Sequence, residues 1–89
     1  MEFKEKKILV IGGSSGIGRG IASCFLNLNA EVCITGTKKN IEDYGLEDAV
    51  SLKSEYIQLD LLNPEALESF VIPFDSLDVL VCSQGTVQY

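Results

Sequence analysis

The chain has 89 residues, a formal net charge of −6 and 46% hydrophobic residues, which fits one globular domain at most. The acidic balance argues against a nucleic-acid-binding surface, and no apolar run approaches the roughly 20 residues needed to span a bilayer. The first apolar run, ILVI, meets glycine after four residues and is shorter than the ~7–15-residue core of an export signal. We therefore expect no membrane association and a cytoplasmic location.

Side chains suited to acid–base and metal chemistry are scarce. Histidine is absent, which removes His-based proton transfer and His metal ligands. The three cysteines, Cys24, Cys33 and Cys82, match no metal-binding or CxxC spacing, and an odd number fits a reducing compartment. We expect no metal site, and we expect these cysteines to be buried as small apolar side chains. A reactive thiol is the alternative for Cys82.

The chain opens with a strand followed by a helix. KKILVI (residues 6–11) predicts a strand buried on both faces, because it is β-branched, continuous and unalternating. The apolar residues that follow at helical spacing are Ile17, Ile21, Cys24, Phe25 and Leu28. Their spacing predicts an amphipathic helix that uses them as its apolar face, and Asn27 and Asn29 predict its end.

The remaining sequence alternates strands with helices. Further strands are predicted at EVCIT (residues 31–35), EYIQL (55–59) and LDVLVCS (77–83). A short helix is predicted between about residues 41 and 50. Another is predicted after Asn63, a good N-cap, with Pro64 in the first helical position and Glu65 facing the helix dipole. This alternation predicts an α/β fold with a parallel sheet and right-handed crossovers.

A cluster of glycines and serines joins the first strand to the first helix. Gly12 suits a sharp turn with positive φ, Gly16 lets the backbone approach a pyrophosphate, and Gly18 lets the helix lie close to its strand. The free N–H groups of the first helical turn form an anion site, to which Ser14 and Ser15 add hydroxyl donors. In this βαβ context the loop predicts a dinucleotide site; a tight turn without a ligand is the alternative.

The spacing of this loop separates it from other glycine-rich loops. Gly12-x-x-x-Gly16-x-Gly18 differs from GxGxxG, and no lysine follows, which excludes GxxxxGK[ST]. Arg19 follows the last glycine and could contact phosphate, although we favour a solvated helix residue.

LVIGGSSGIGRGIA (residues 9–22) resembles the cofactor loop of the short-chain dehydrogenase/reductase family, whose single-domain members carry TGxxxGIG here. QLDLLNPE (58–65) resembles the family's third-strand Asp segment, and LDVLVCSQG (77–85) resembles its fourth-strand LVNNAG segment. The resemblance implies a Rossmann-type doubly wound parallel sheet of about four strands in the order 3-2-1-4. Residues 1–89 would then form the N-terminal half of an NAD(P)-binding domain, with the fourth strand at an unprotected edge.

The resemblance also implies roles for individual residues. The Asp60 carboxylate would accept a hydrogen bond from the adenine amino group, the Leu61 amide would support the ring, and Gly85 would leave space for the ribose and nicotinamide. A cap for the following turn is the alternative for Asp60. The implied cofactor-binding residues are Gly12, Ser14, Ser15, Gly16, Ile17, Gly18, Thr37, Lys38, Asp60, Leu61, Cys82 and Gly85.

The end of the second strand bears on the choice of dinucleotide. NAD preference needs an Asp or Glu there to bind the ribose 2′-hydroxyl. This chain has neutral Gly36 and Thr37 followed by cationic Lys38 and Lys39. Lysine attracts a 2′-phosphate that a carboxylate would repel, so we expect NADP rather than NAD. Solvated loop charges are the alternative.

The chain departs from the family's pattern at two places. The family's Thr before the first glycine is Ile11 here, and its Asn-Asn-Ala-Gly is Cys82-Ser83-Gln84-Gly85. In the family these polar groups tie the central strands together around the cofactor. We hypothesise that Ile11 and Cys82 form an apolar contact instead.

The family's reaction is hydride transfer between nicotinamide and a carbonyl or hydroxyl carbon. It uses a Tyr proton donor, a Lys four residues later and a Ser. Tyr44 and Tyr56 are followed at that distance by Asp48 and Asp60, and nothing in this sequence follows Tyr89, so no catalytic residue is assigned. We expect this to be the cofactor half of a longer NADP(H)-dependent oxidoreductase. That enzyme would act on a small carbonyl or alcohol substrate and form a homo-oligomer.

Two other functions stay open at this point. A dinucleotide-binding module without turnover is favoured by the altered positions at Ile11 and Cys82. A different nucleotide-fold enzyme, such as a sugar-nucleotide epimerase or a methyltransferase, is disfavoured by the GxxxGxG spacing and the Ser14–Ser15 pair. Carbonyl-dependent NADPH oxidation would argue against the module, and S-adenosylmethionine binding would favour the third possibility.

Overall fold

The described part of the chain has the alternating order of strands and helices that the sequence predicts. A computed structural model describes residues 4–14, 16–60, 62–71 and 74–83. Its strands are β1 (Lys7–Ile11), β2 (Glu31–Gly36), β3 (Glu55–Gln58) and β4 (Val79–Cys82). Its helices are α1 (Gly16–Asn27), one 3-10 turn (Ile41–Tyr44), α2 (Ala49–Lys53) and α3 (Pro64–Ser69). The α/β fold class is therefore confirmed.

The four strands form one parallel sheet in the order β3-β2-β1-β4. This is the predicted order. Ile8 of β1 stands between Val32 of β2 and Val79 of β4. Because β1 and β2 are the inner strands, their carboxyl ends lie side by side at the middle of one sheet edge, where ligands bind in sheets of this kind.

The core lies on the inner strands, as predicted for β1. Ile8, Leu9 and Val10 are all fully buried, which agrees with a strand covered on both faces. Ile8 and Val10 belong to one cluster with Ile34 of β2 and Ala22 of α1. These contacts hold α1 against the strands that position the glycine loop.

The predicted apolar face of α1 is wrong at two positions. Ile17 is 81% exposed and Cys24 is also exposed, whereas the buried residues of the helix are Gly18, Arg19 and Ala22. Small residues let a helix lie close to a sheet, and here they form the contact surface. Ile17 precedes Gly18 by one residue and is therefore turned by about 100° away from that surface.

The predicted helix between residues 41 and 50 is divided into two shorter elements. Gly45 adopts φ 70°, which ends the 3-10 turn in the left-handed region. Asp48 then caps α2 by accepting a hydrogen bond from the Ser51 amide at 3.0 Å. The stretch predicted as one helix therefore contains a stop signal at Gly45 and a start signal at Asp48.

The predicted ends of the longer helices are confirmed. Asn29 has φ 66° just after α1, the left-handed conformation that commonly terminates a helix. Asn63 caps α3 by accepting hydrogen bonds from the Glu65 and Ala66 amides at 3.0 and 3.3 Å. Pro64 occupies the first helical position.

Burial of the cysteines is confirmed only for Cys33. This side chain is fully buried in β2, and desolvation raises the pKa of its thiol to about 12. Cys24 and Cys82 are exposed, contrary to prediction. In β4 the exposed residues Leu80 and Cys82 alternate with half-buried neighbours, because one face of this edge strand has no covering element among the described residues.

The described residues contain neither a membrane-spanning helix nor a cluster of metal ligands. No helix there is long and apolar enough to cross a bilayer. Within the same residues, no three His, Cys, Asp or Glu side chains group together in a way that could hold a metal ion.

Candidate functional site

Those residues implied to bind a cofactor that the structure describes lie along the carboxyl edge of the sheet. Because all four strands are parallel, the glycine loop after β1, the loop after β2 and the segment after β3 leave the sheet at the same edge. This arrangement brings together the described residues Gly12, Ser14, Gly16, Ile17, Gly18, Thr37, Lys38, Asp60 and Cys82. Ser15, Leu61, Gln84 and Gly85 lie outside the described residues.

The first glycine of the loop makes the predicted sharp turn. Gly12 has φ 79°, a conformation that L-residues rarely adopt. Its N–H donates to the Thr35 hydroxyl at 3.0 Å, and the Gly13 N–H donates to the Val10 carbonyl at 3.2 Å. Thr35 is 1% exposed, so a buried side chain of β2 fixes the start of the loop. No local sequence pattern points to this role of Thr35.

The other two glycines of the spacing have different structural reasons. Gly16 has φ 59°, and apart from its chain neighbours and its own helix backbone, no heavy atom of the described residues lies within 4 Å of the point that a Cβ would occupy. The backbone conformation thus favours glycine, and the space in front of it is open to a ligand. At Gly18 a Cβ would overlap the Gly12 carbonyl oxygen and lie 3.0 Å from the Ser83 Cβ. The predicted close packing at Gly18 is confirmed; pyrophosphate contact at Gly16 stays a prediction.

Arg19 is not the solvated helix residue that we favoured. Its side chain is 7% exposed. Its Nε and Nη2 donate to the Asp48 carboxylate at 2.9 and 2.8 Å, and Nη1 donates to the Ser14 carbonyl at 2.6 Å. Nη2 also donates to the Ser51 hydroxyl. Four of the five guanidinium donors are therefore used within the chain, so Arg19 connects the glycine loop to α2.

The ion pair leaves Asp48 strongly acidic. Hydrogen bonds from Arg19, followed by the one from the Ser51 amide, hold the pKa of the Asp48 carboxyl well below its usual range. Arg19 thus remains paired with an ionised carboxylate at neutral pH.

The loop after β2 is held by two tyrosines. The Lys38 amide donates to the Tyr44 hydroxyl at 3.2 Å, and the Lys38 carbonyl accepts from the Tyr56 hydroxyl at 2.5 Å. The Lys38 ammonium lies 5.6 Å from the centroid of the Tyr44 ring. Gln58 donates its side-chain amide to the Thr37 carbonyl at 2.9 Å. Both residues implied to lie near the 2′ position therefore have a fixed backbone.

The Tyr44 hydroxyl also reaches the glycine loop. At Gly36 a Cβ would overlap the Tyr44 hydroxyl and the Ser14 hydroxyl, so glycine lets both groups approach the end of β2. Burial alone would raise the pKa of Tyr44, but the nearby Ser14 hydroxyl and the hydrogen bond from the Lys38 amide together lower it. Burial raises the pKa of Tyr56, and the neighbouring Tyr44 hydroxyl raises it further. The sequence pattern singled out neither tyrosine for this role.

Asp60 caps the turn that follows β3. One of its carboxylate oxygens accepts from the Leu62 amide at 2.9 Å, and its carbonyl accepts from the Asn63 amide at 3.0 Å. A cap for the following turn is the alternative role that the sequence left open for Asp60, and the structure shows this cap. The side chain is exposed at the carboxyl edge, and its contact with adenine stays a prediction.

Ile11 and Cys82 are neighbours, as the hypothesis about the altered positions requires. They are register partners on β1 and β4, and the Ser83 amide donates to the Ile11 carbonyl at 2.8 Å. Register partners in a parallel pair point to the same face of the sheet. Their energetic coupling stays a prediction.

No protein-family model matches the chain. The chain is 32% identical to D-xylose 1-dehydrogenase of Caulobacter vibrioides over 93% of its length, which covers 34% of that relative. It is 33% identical to the 3-oxoacyl-[acyl-carrier-protein] reductase FabG of Rickettsia typhi over 96% of its length, covering 35% of that relative. The chain therefore spans about a third of the length of the curated relatives it matches.

Solved structures show the same fold. Aldohexose dehydrogenase of Thermoplasma acidophilum, in its ligand-free form, is 27% identical with a TM-score of 0.67, covering 97% of this chain and 32% of that one. A short-chain type dehydrogenase/reductase from Mycobacterium ulcerans is 24% identical with a TM-score of 0.70, covering 99% of this chain and 35% of that one. At the latter identity the likeness concerns the fold alone.

Proposed function

We propose that this chain, which belongs to the short-chain dehydrogenase/reductase family, is the cofactor-binding part of an NADP(H)-dependent oxidoreductase. The observation that carries the proposal is the glycine loop. Gly12 in the loop and Gly16 at the first position of α1 both have positive φ, and no side chain among the described residues fills the space in front of Gly16. A helix N-terminus reached by an unobstructed backbone suits the pyrophosphate of a dinucleotide.

The preference for NADP(H) rests on charge at the end of β2. The strand ends at Gly36, and the first charged side chain after it is the exposed Lys38. A carboxylate there would bind a ribose 2′-hydroxyl and repel a 2′-phosphate, whereas an ammonium attracts the phosphate. The proposed roles of Asp60 near adenine and of the Thr37 backbone near the ribose complete the adenosine side of the site.

The cofactor, when bound, supplies or accepts a hydride at a carbonyl or hydroxyl carbon. The residues of this chain would bind and orient it: the glycine loop at the pyrophosphate, Lys38 at the 2′-phosphate and Asp60 at the adenine. A small carbonyl or alcohol substrate, a homo-oligomeric assembly and a cytoplasmic location belong to the same proposal.

The function is tested by NADPH oxidation with the full-length protein. A panel of sugar lactones, 3-oxoacyl thioesters and simple ketones is offered, and absorbance at the nicotinamide band is followed with NADPH and with NADH. We expect saturable, carbonyl-dependent oxidation that is faster with NADPH. Tight NADPH binding with no oxidation by any substrate of the panel would instead favour a module without turnover, which the unusual Ile11 and Cys82 pair also favours. Binding of neither dinucleotide would contradict the proposal.

A further inference from the structure

Two tyrosines stand between the glycine loop and the loop after β2. Tyr44 comes from the 3-10 turn and Tyr56 from β3. Their rings are arranged edge to face, with centroids 6.0 Å apart and an interplanar angle of 67°, and their hydroxyl oxygens are 3.1 Å apart. We call Tyr44 and Tyr56 the tyrosine pair.

Counting protons fixes the direction of the hydrogen bonds in the pair. The Lys38 carbonyl can only accept, so the Tyr56 hydroxyl donates its single proton there. Tyr44 must then donate the proton shared between the two hydroxyls. The Tyr44 oxygen remains free to accept from the Lys38 amide. Both backbone polar groups of Lys38 are therefore bound by the tyrosine pair.

The pair also acts on the Lys38 side chain. The ammonium lies 5.6 Å from the centroid of the Tyr44 ring, within the ~6 Å range of a cation–π contact. A lysine whose backbone and ammonium are both held has less freedom to lose when it binds a ligand. The pair thus preorganises the cation nearest the end of β2.

A third connection joins the pair to the glycine loop. The buried Ser14 hydroxyl and the Tyr44 hydroxyl both lie against Gly36, where a side chain would displace them. The Tyr44 hydroxyl therefore lies between the glycine loop, where we propose that the pyrophosphate binds, and the loop that carries Lys38.

We propose that Tyr44 and Tyr56 are positioning residues that set the preference for a 2′-phosphorylated dinucleotide, because they hold Lys38 where it meets the 2′-phosphate. This inference rests on the proposed NADP(H) site. Neither tyrosine touches the reacting atoms. Their expected effect falls on the discrimination between the two dinucleotides, since the 2′ substituent is the only chemical difference between them.

The test measures dissociation constants of NADP⁺ and NAD⁺ for the full-length protein by calorimetry. The variants are Tyr44→Phe, Tyr56→Phe, Tyr44→Leu and Lys38→Ala, with Lys53→Ala as a control that removes the same charge far from the carboxyl edge. We expect Lys38→Ala to lower the NADP⁺ preference about fivefold. Each Phe variant should lower it about twofold to threefold, and Tyr44→Leu should lower it more, because it also removes the ring beneath the ammonium.

The outcomes separate this inference from the function on which it rests. NAD⁺ affinity should change little in the Phe variants, since they remove no group that the unphosphorylated ribose needs. Equal weakening of both dinucleotides would mean that the pair is merely structural and would overturn the inference. A loss of preference in Lys38→Ala without any loss in the Phe variants would overturn it while leaving the NADP(H) proposal intact. An unchanged preference in Lys38→Ala, or an equal loss in Lys53→Ala, would overturn both.

Discussion

The Thr35 hydroxyl accepts the hydrogen bond of the Gly12 amide at 3.0 Å, so the second strand supplies the polar group that holds the first glycine of the loop. The family pattern that this chain resembles has a threonine one residue before that glycine, where Ile11 stands here. Thr35 offers a hydroxyl to the loop from the neighbouring strand. The loop thus has a part-buried hydrogen bond to a side-chain hydroxyl although the family's threonine is absent.

Replacing Thr35 by valine should destabilise the protein. The substitution keeps the shape of the side chain but leaves the part-buried Gly12 amide without its acceptor, which costs about 1–3 kcal/mol in the free energy of unfolding. Urea unfolding measures the loss, and dinucleotide affinity should fall with it. Thr35→Ser keeps the hydroxyl and should lose less stability than valine; the opposite ranking would contradict the assigned role of the hydrogen bond.

The Arg19–Asp48 pair should make stability depend on pH. The folded-state pKa of Asp48 is held below its ordinary value of about 3.9. Its stabilising contribution is therefore fully present above that value and is lost as pH falls through the lower folded-state pKa. The Asp48 side chain is 47% exposed, so solvent screening limits the effect.

Asp48→Asn tests this dependence. We expect a loss of about 1 kcal/mol at pH 7, after allowing for screening of the half-exposed carboxylate. The difference from the wild type should narrow as the pH is lowered from about 5 toward 2. Urea midpoints at several pH values measure it. A difference that stays constant over this range would show that the ion pair does not contribute through its charge.

Gly18 and Gly20 offer a matched pair of substitutions in one helix. An alanine Cβ at Gly18 would overlap the Gly12 carbonyl oxygen, whereas a Cβ at Gly20 would meet none of the described residues within 4 Å apart from its chain neighbours and its own helix backbone. Gly18→Ala should cost about 1–3 kcal/mol. Gly20→Ala should stabilise the protein by about 0.5–1 kcal/mol, because alanine loses less backbone entropy in a helix. Thermal unfolding compares the two variants, and equal shifts would refute the close packing at Gly18.

The hypothesis about Ile11 and Cys82 predicts energetic coupling between adjacent strands. The variants are Ile11→Thr, Cys82→Asn and the double variant, which restores both polar groups of the family pattern. Since the two residues are register partners, the double variant should be more stable than the sum of the single effects predicts, by more than about 0.5 kcal/mol. If the changes in unfolding free energy of the two single variants simply add up in the double variant, the residues at positions 11 and 82 are energetically independent. That result would contradict the hypothesis.

The sequence predicted those parts of the fold that depend on local signals. Asn63 and Pro64 define the start of α3 because the capping atoms lie two or three residues away. Asn29 marks the end of α1 through its own backbone conformation. The order of the sheet followed from the resemblance, together with the alternation of strands and helices.

The sequence could not predict contacts that the fold creates between distant residues. Arg19 and Asp48 are 29 residues apart, and Gly12 and Thr35 are 23 apart. Periodicity and local spacing carry no information at such separations. The tyrosine pair was missed for the same reason, because its link to Lys38 depends on how β2 and β3 align.

The error in the apolar face of α1 has a different cause. Periodicity gives weight to strongly hydrophobic residues such as Ile17 and Cys24, but the helix contacts the sheet through Gly18 and Ala22. Small residues carry little hydrophobic signal although they permit the closest approach. The glycine at position 18 was assigned correctly by its place in the loop motif, and that assignment could have corrected the orientation of the helix.

The most direct test of the central claim is a calorimetric titration of the full-length protein and its Gly16→Val variant with NADPH. Valine would place a branched side chain at a positive φ and in the open space proposed for the pyrophosphate. We expect saturable binding with one NADPH per chain in the wild type, and an affinity at least tenfold lower in a variant that circular dichroism shows to be folded. Absence of NADPH binding in the wild type, or equal affinity in the two proteins, would contradict the assignment of the glycine loop as a dinucleotide site.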